Sequence, residues 1–480
     1  MTDRRLRNTA LLVAGCFFME NLDGTIVTTA APRIAGALHV ASTSVGLAIA
    51  AYMVTLAVFI PLSGWLAARW GARPVFLTAI VVFTLSSVAC AASTSLAELV
   101  IFRVVQGIGG AMMVPVGRLV VLSRTGKAQV LTMIGLLVWP GLIAPVVAPL
   151  AGGVITTYAS WQWLFLVNVP LGILAFVVAW RLIDSPHTDE VAPPLDPIGG
   201  VLTCGGLAAA TYMAYLLSQS RVSWSGVVVC AVVGVGALAG AAAHLLRVPH
   251  PLVNLRTLSV PTFRAALSSG TLFWTAITAI PFVLTLLFQD AFGWSPVKSG
   301  ALVVFVFIGN VTIKPTTTPL LRRFGFRPVL VASTAGAAAT MVAAAFIRAD
   351  TPLVLIALVG VLNGFGRSVS LTCYSTIAFS DTPPDQIRDA NTLQATAQQL
   401  AVGLGVPLGA VAIRAGGPLA AALPGATSAV DPYSVAFVLL ALVALVATVA
   451  ALRLHPDAGS AVTRRPGAAP AASNSSSHSV

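Results

Sequence analysis

The sequence predicts an all-α integral membrane protein of fourteen transmembrane helices, and three observations carry that reading. Hydrophobic residues fill 57% of the 480 positions and charged residues only 9%, against about 25% charged in soluble chains. Apolar runs of about 20 residues, each long enough to cross a ~30 Å hydrocarbon core, recur from one end to the other. The 27 Lys and Arg residues are sorted between alternate loops. A soluble globule cannot bury so many apolar helices, whereas a bilayer can.

In order, the spans fall at about 10–31, 45–67, 75–93, 96–120, 130–155, 162–183, 198–218, 224–246, 262–288, 297–320, 327–349, 352–378, 390–413 and 433–454. Met1–Arg7 could be the basic start of a secretory signal. The two acids that follow, and thirteen similar segments after them, favour an uncleaved first span. The segment 455–480 is rich in Ala, Ser, Pro and Gly and reads as a disordered cytoplasmic tail.

With the N-terminus inside, the outer loops hold only Arg33, Arg221, Lys298, Arg348 and Arg414. Arg103, Lys314 and Arg367 lie inside spans, and every other basic residue, Arg118 included, falls on the cytoplasmic side. This is the positive-inside pattern with both termini cytoplasmic. The net charge of +12 therefore marks topology, not a nucleic-acid partner. Five cysteines stand singly without metal-ligand spacing, so they read as small packing residues. GxxxxGK[ST], HExxH and GxSxG are all missing, so neither an enzyme nor a cofactor or metal site is expected. The glycine-rich "GLGVPLG" (403–409) lies inside a span and reads as helix packing.

An internal echo points to function. "LAARWGARPVFL" (66–77) resembles "LLRRFGFRPVLV" (320–331), with Leu66, Arg69, Gly71, Arg73 and Pro74 against Leu320, Arg323, Gly325, Arg327 and Pro328. "QGIGG" (106–110) is echoed more weakly by "NGFGR" (363–367). The loop after span two thus corresponds to the loop after span ten, a shift of eight helices. The expected architecture is a six-helix half (1–183), a cytoplasmic linker (184–197), two additional helices (198–246), a second six-helix half (247–454) and the tail. Related halves around a midplane site are transporter architecture.

Of fifteen acids, only Glu20 and Asp23 lie well within a span. Each costs about 2.5–3.5 kcal/mol at the bilayer centre, so each needs a partner or a wet cavity. Three residues apart, they share a helix face, and neighbouring acids in a low dielectric resist ionising together. Such a pair suits proton uptake and release and also attracts a cation. Asp23 lies ~20 Å from the inner end of span one, and Arg103 ~10 Å from the outer end of span four, at 1.5 Å per residue. Both therefore sit at one level, and Arg103 is expected to face Asp23 or Glu20. The alternative is a static ion pair that only joins two helices.

Lys314, about one turn from the inner end of span ten, is expected to snorkel to the surface; the role of Arg367 is open. Asn391, Gln394 and Gln398 form a polar stripe on span thirteen, lining a cavity or bonding neighbouring helices. Pro140, Pro145 and Pro149, with Gly141, Gly152 and Gly153, give span five kinks and close contacts. Met112, Met113, Trp139, Trp274 and Phe282 could form an adaptable apolar pocket, or be ordinary packing.

These residues carry a resemblance to the major facilitator superfamily, closest to the fourteen-helix drug:proton antiporters of the QacA and EmrB kind, over about 8–454. "LDGTIVTTAAPRIA" (22–35) resembles that branch's span-one signature, whose acid falls on Asp23. "FRVVQGIGGAMMVP" (102–115) resembles the span-four motif, placing its arginine and glutamine on Arg103 and Gln106. "APVVAPLAGG" (144–153) is similar to the span-five antiporter motif, and "WQWLFLVNVPLG" (161–172) to the start of span six. "SGWLAARWGARP" (63–74) resembles the loop two–three motif, through Gly64, Arg69, Gly71 and Arg73. Ala68 departs from the usual loop Asp, and Ala144 and Ala148 from two span-five glycines.

The resemblance implies a major-facilitator fold and export of lipophilic, often cationic, small molecules in exchange for protons. Asp23, Glu20 and Arg103 would couple protons. Gln106, Met113, Trp139, Trp274, Phe282, Gln394 and Gln398 are the candidate substrate contacts, and Gly64, Arg69, Gly71, Arg73, Pro145, Pro149, Gly152 and Gly153 the gating and motif positions. A monomer in a bacterial cytoplasmic membrane is expected. The alternatives are a dedicated exporter of one endogenous metabolite, a proton symporter, or a non-transporting membrane sensor.

Overall fold

The computed structural model describes residues 3–40, 42–126, 129–184, 194–218, 222–422, 431–455 and 458–459. Residues 185–193 of the expected linker, and all of the expected tail but 455 and 458–459, fall outside that set. Sixteen α-helices follow one another among the described residues: α1 Asp3–Ala37, α2 Ser42–Trp70, α3 Ala72–Ala92, α4 Leu96–Leu122, α5 Val130–Tyr158, α6 Trp163–Leu166, α7 Asn168–Leu182, α8 Pro197–Ser218, α9 Trp224–Leu245, α10 Pro261–Leu286, α11 Pro296–Thr312, α12 Lys314–Phe324, α13 Phe326–Ala344, α14 Leu353–Ser380, α15 Ile387–Ala421 and α16 Asp431–Leu452. Among the described residues, twelve spans are long and apolar enough to cross a membrane, or thirteen when the bent pair α11–α12 is taken as one. The 29-residue α5 stands where span five was expected.

Local chemistry sets the ends. Ser95 accepts from the Glu98 N–H at 3.3 Å while the Glu98 carboxylate accepts from the Thr94 N–H at 2.8 Å, a reciprocal N-cap that stops α4 unravelling. Pro261 and Pro296 open their helices, where a missing N–H costs nothing. The sharp α2–α3 and α12–α13 turns rest on Gly71 (φ 86°) and Gly325 (φ 81°), a left-handed geometry that other residues resist. These two glycines are partners in the sequence echo. Its second line holds as well: a Cβ on Gly109 would strike the Ala79 carbonyl and Phe83, and one on Gly366 the Ser333 carbonyl and Ala337.

Span ten departs from a straight helix. It bends by 48° between Thr312 and Lys314, because Pro315 supplies no N–H to the preceding turn and crowds its carbonyls. The lower arm then continues to Phe324, four residues past the sequence boundary. Lys314 therefore lies ten residues, ~15 Å along the axis, from the helix end, and it does not snorkel. It turns inward and donates to the Thr372 hydroxyl at 2.5 Å. Arg118 also departs from expectation. α4 runs to Leu122, so this residue is buried inside the bundle instead of marking a cytoplasmic loop.

Two apolar clusters draw on residues between Leu6 and Ile183, joined by Ala395. A third gathers residues from Phe263 to Ala451 and takes in Leu122, Val130, Leu131, Ile134 and Val138. The ends of α4 and α5 that carry those five residues are thus packed against the later helices. α8 lies against α2 and α15 and α9 packs on α8, while Val228, Val229, Val232 and Val235 of α9 are more than half exposed, as suits a lipid-facing surface. Asp196 ties their bases together, accepting from the Gly199 N–H at 2.8 Å, the Leu252 N–H at 3.4 Å and His244 at 2.9 Å. Burial alone would push this carboxyl up, but those bonds outweigh it and hold it below the usual carboxylate value.

α11 and α14 meet backbone to backbone. A Cβ on Gly364 would collide with the Val306 carbonyl and lie 2.6 Å from the Asn310 nitrogen, so neither helix can yield by a rotamer change. Gly364→Val is expected to destabilise the protein by ~1–3 kcal/mol, read as a lower thermal midpoint in detergent. Gly336→Ala, which faces open space, should leave that midpoint unchanged or raise it.

Candidate functional site

Asp23 sits midway along α1 with no exposed side-chain surface. Its Oδ2 accepts from Arg103 Nη1 of α4 at 2.5 Å. Its Oδ1 accepts from Gln106 Nε2 at 3.0 Å and from Asn168 Nδ2 of α7 at 2.8 Å. Gln106 also accepts from Arg103 at 2.8 Å and donates to Ser87 of α3 at 2.8 Å, which Asn168 reaches at 3.4 Å. One carboxylate thus joins α1 to α4 and α7, with α3 tied in through Ser87, and everything that touches it is a donor.

The guanidinium is held from its faces as well. Its carbon lies 4.3 Å from the Tyr52 ring centroid and 5.5 Å from that of Phe165, close enough for cation–π attraction in a dry site. Arg103 Nε and Nη2 have no hydrogen-bond partner. A buried charge with open donors depends strongly on its one counter-ion. Proton uptake by Asp23 would cancel that attraction and turn one carboxyl oxygen from acceptor to donor. The cluster is therefore a latch in which Arg103, Gln106 and Asn168 are held by the one carboxylate of Asp23.

Of the two span-one acids, the structure brings Arg103 together with Asp23. Glu20 does not share it. Its carboxylate lies in electrostatic range of Arg118, and its Oε2 has no partner, while its backbone carbonyl accepts from Tyr52 at 3.4 Å. The two acids thus differ in partner: Asp23 is paired with Arg103, whereas Glu20 meets Arg118 only as a through-space attraction. Sequence reasoning missed Asn168, Ser87 and Arg118. The available signal was a polar residue in an otherwise apolar run, but the run does not say which helix that residue faces.

The remaining candidates are scattered. Met112 and Met113 are packed with Met19 and Phe76, and Trp274 lies inside the later cluster. Phe282 is half-buried beside Gly409, Trp139 is 44% exposed, and Gln398 is half-buried. Gln394 is buried with its Oε1 unpartnered. Asn391 reaches across the bundle and donates to the Pro115 carbonyl at 2.9 Å.

Beside that bond Gly64 of α2 packs against Thr392 and Arg388 of α15, so the end carrying the basic loops is closed. Arg73 donates to the Trp180 carbonyl at 2.8 Å and stacks on its ring at 5.2 Å, while Arg69 is exposed. On α5, Gly141 meets the Phe17 ring of α1, and Ala144, Ala148 and Gly152 are buried. This row of small residues lays α5 along the helix that bears Asp23. Pro145, Pro149 and Gly153 are helical, but their side-chain surroundings lie outside what is described. No group of three His, Cys, Asp or Glu residues suited to a metal ion occurs among the described residues.

The chain matches the Major Facilitator Superfamily over residues 13–278 and 265–476. A relative in Pectobacterium atrosepticum, named as a multidrug resistance protein, MdtD, is 34% identical over 451 residues, covering 93% of this chain and 95% of that one. Its namesake in Serratia proteamaculans is 35% identical over 409 residues, or 84% of each chain. Among solved structures, the human organic anion transporter MFSD10 superposes with a TM-score of 0.66 at 15% identity, over 94% of this chain and 100% of that one. The proton:xylose symporter XylE gives 0.62 at 12% identity, over 94% and 95%. At such identities these two speak for the fold alone.

Proposed function

The chain belongs to the major facilitator superfamily, and from that premise we propose that it is a proton-coupled exporter of lipophilic small molecules, working by alternating access. The observation that carries this reading is the buried Asp23–Arg103 pair, braced by Gln106 and Asn168. A purely structural link between α1 and α4 would not need a carboxylate that three helices share at once. The relatives named for multidrug resistance support the direction of transport.

In this reading two six-helix halves, 1–183 and 247–454, rock about the site with α8 and α9 as an addition. Both termini are cytoplasmic, in a bacterial inner membrane, and a monomer suffices. The basic end is the cytoplasmic one, so the closed Gly64–Thr392 contact corresponds to a state shut toward the cytoplasm. There a proton arriving from outside neutralises Asp23 and releases Arg103. The N-terminal helices then repack and the cytoplasmic end opens. Proton loss to the cytoplasm re-forms the pair while substrate is taken up. Glu20, with its unpartnered oxygen, is a second proton stop on the same helix face. Trp139, Phe282, Gln394 and Gln398 are the candidate substrate contacts; Met113 and Trp274 serve packing, and Gln106 serves the latch.

Purified protein in proteoliposomes under an imposed pH gradient tests the proposal. Movement of a fluorescent lipophilic compound against the proton flow, abolished when a protonophore collapses the gradient, is the expected result. Compound movement indifferent to the gradient would overturn proton coupling.

A further inference from the structure

The Asp23–Arg103 pair is sealed, but it is not the last charge on the way to the basic end. Asp23 and Arg103 keep 1% and 0% of their surface accessible, whereas Glu20 keeps 9% and Arg118 8%. α1 and α4 run in opposite directions along one seam. A Cβ on Gly110 would lie 3.7 Å from Glu20 Cγ, and seven residues further in Gly117 packs on Val13. Arg118 is next to Gly117, so it lies ~10 Å inward of Glu20 along the seam. It is also three residues, about one turn, from Pro115, whose carbonyl takes the Asn391 bond that crosses to α15. Arg118 thus stands between Glu20 and the closed basic end.

The electrostatic surroundings of Glu20 are simple. The groups in range of it are Asp23, Cys16, Tyr52 and one cation, Arg118; conversely, Glu20 is the acid in range of Arg118. α5, which lies along α1, carries no Asp, Glu, Lys, Arg or His. α2 and α7 carry none before Arg69 and Arg181 in their last turns. Glu20 Oε2 is buried without a hydrogen-bond partner, so no donor on that oxygen fixes its ionised form. What favours that form is a single positive charge.

We propose that Arg118 is the positioning residue that makes Glu20 the proton-release group toward the cytoplasm. The proton leaves the Asp23 carboxyl for the Glu20 carboxylate, across the ~5–6 Å between Cβ atoms at i and i+3, and Asp23 becomes again the anion that Arg103 engages. Glu20, now neutral, gives that proton to water entering from the opened basic end and returns to the carboxylate. The charge on Arg118 favours this return, because a cation in a low dielectric stabilises an ionised carboxylate. Without it, a carboxyl buried beside Asp23 retains its proton, since neighbouring acids resist ionising together. The direction of proton flow rests on the exporter reading, but the coupling of Arg118 to Glu20 does not.

The test has an equilibrium arm and a transport arm. Infrared titration of the detergent-purified protein follows the protonated-carboxyl band that Glu20→Gln removes. Arg118→Gln should raise the midpoint of that band by at least one pH unit, a tenfold gain in proton affinity, while Arg118→Lys raises it less. Arg181→Gln, which neutralises an exposed arginine in the last turn of α7, should leave it in place. In proteoliposomes at a fixed pH gradient, the pH profile of fluorescent-compound export should move upward in Arg118→Gln by a similar amount. In a Glu20→Gln background the same substitution should move it no further. A merely structural role for Arg118 would lower the yield of folded protein without moving either midpoint. The proposal is overturned by the lack of a titrating band, or by a band midpoint or export profile that Arg118→Gln leaves in place. Should Arg118→Gln fail to fold, Arg118→Met, which keeps an apolar stem without the charge, decides by the same criteria. Failure of the exporter reading shows separately, as absent gradient-driven flux with the infrared shift intact.

Discussion

Asp23→Asn is expected to abolish gradient-driven export while the protein still inserts in normal amount. The substitution is nearly isosteric, so its effect comes from hydrogen-bond chemistry. Asp23 accepts on both oxygens, from Arg103 on one and from Gln106 and Asn168 on the other. An amide has only one acceptor oxygen, so one side of the substituted group must place N–H against N–H. A buried donor left unmade costs about 1–3 kcal/mol, and Arg103 also loses its counter-ion. Breaking a buried pair from one side typically costs ~3–5 kcal/mol, so the thermal midpoint in detergent should fall as well. Arg103→Gln added to Asp23→Asn should recover most of that stability, because the uncompensated charge is gone, without restoring transport. Proton-dependent flux surviving in Asp23→Asn would remove this residue from the coupling step.

Why this pair could be read in the sequence is instructive. Charges inside apolar runs are few, each is costly, and depth along a helix follows from a count of residues, so Asp23 and Arg103 could be matched before any contact was known. The spans were legible for the same local reason: helix length and hydropathy do not depend on neighbours. Residues near a boundary were not. The inner end of span ten was set at Leu320, where the apolar run gives out, yet the helix carries Arg322 and Arg323 on to Phe324. That one extra turn moves Lys314 from the interface into the bundle. Arg118 was misplaced in the same way by the continuation of α4 to Leu122. Asn168 and Ser87 are a different case, because a neutral polar residue in an apolar helix has several possible faces and only packing selects one. The apolar candidates were the least legible: nothing in a sequence separates a methionine that lines a pocket from one packed as tightly as Met113.

Gly64→Val is expected to hold the basic end open and to cut export by about tenfold or more. The reasoning starts from space. A Cβ at this position of α2 would overlap the Thr392 hydroxyl of α15 and lie 3.8 Å from Arg388 Cγ. Asn391, the neighbour of Thr392, makes the bond to the Pro115 carbonyl that bridges the same closure. A branched side chain in that gap must push α2 and α15 apart, and overpacking of this kind costs ~1–3 kcal/mol. The penalty falls only on the state in which the two helices touch, so it shifts the access equilibrium, and every 1.4 kcal/mol is about tenfold. Alternating access needs both ends to close in turn, so a protein held open at one end binds substrate but does not cycle. The measurement is the reactivity of a cysteine placed at Thr396, buried one turn beyond the contact, toward an impermeant maleimide added from the basic side, in a background without the five native cysteines. Gly64→Val should raise that reactivity as flux falls, whereas Gly46→Ala, on the same helix but facing open space, should change neither. Unchanged labelling together with unchanged flux would mean that the closed end is held elsewhere, at the packing of Leu122, Val130 and Ile134 into the later helices.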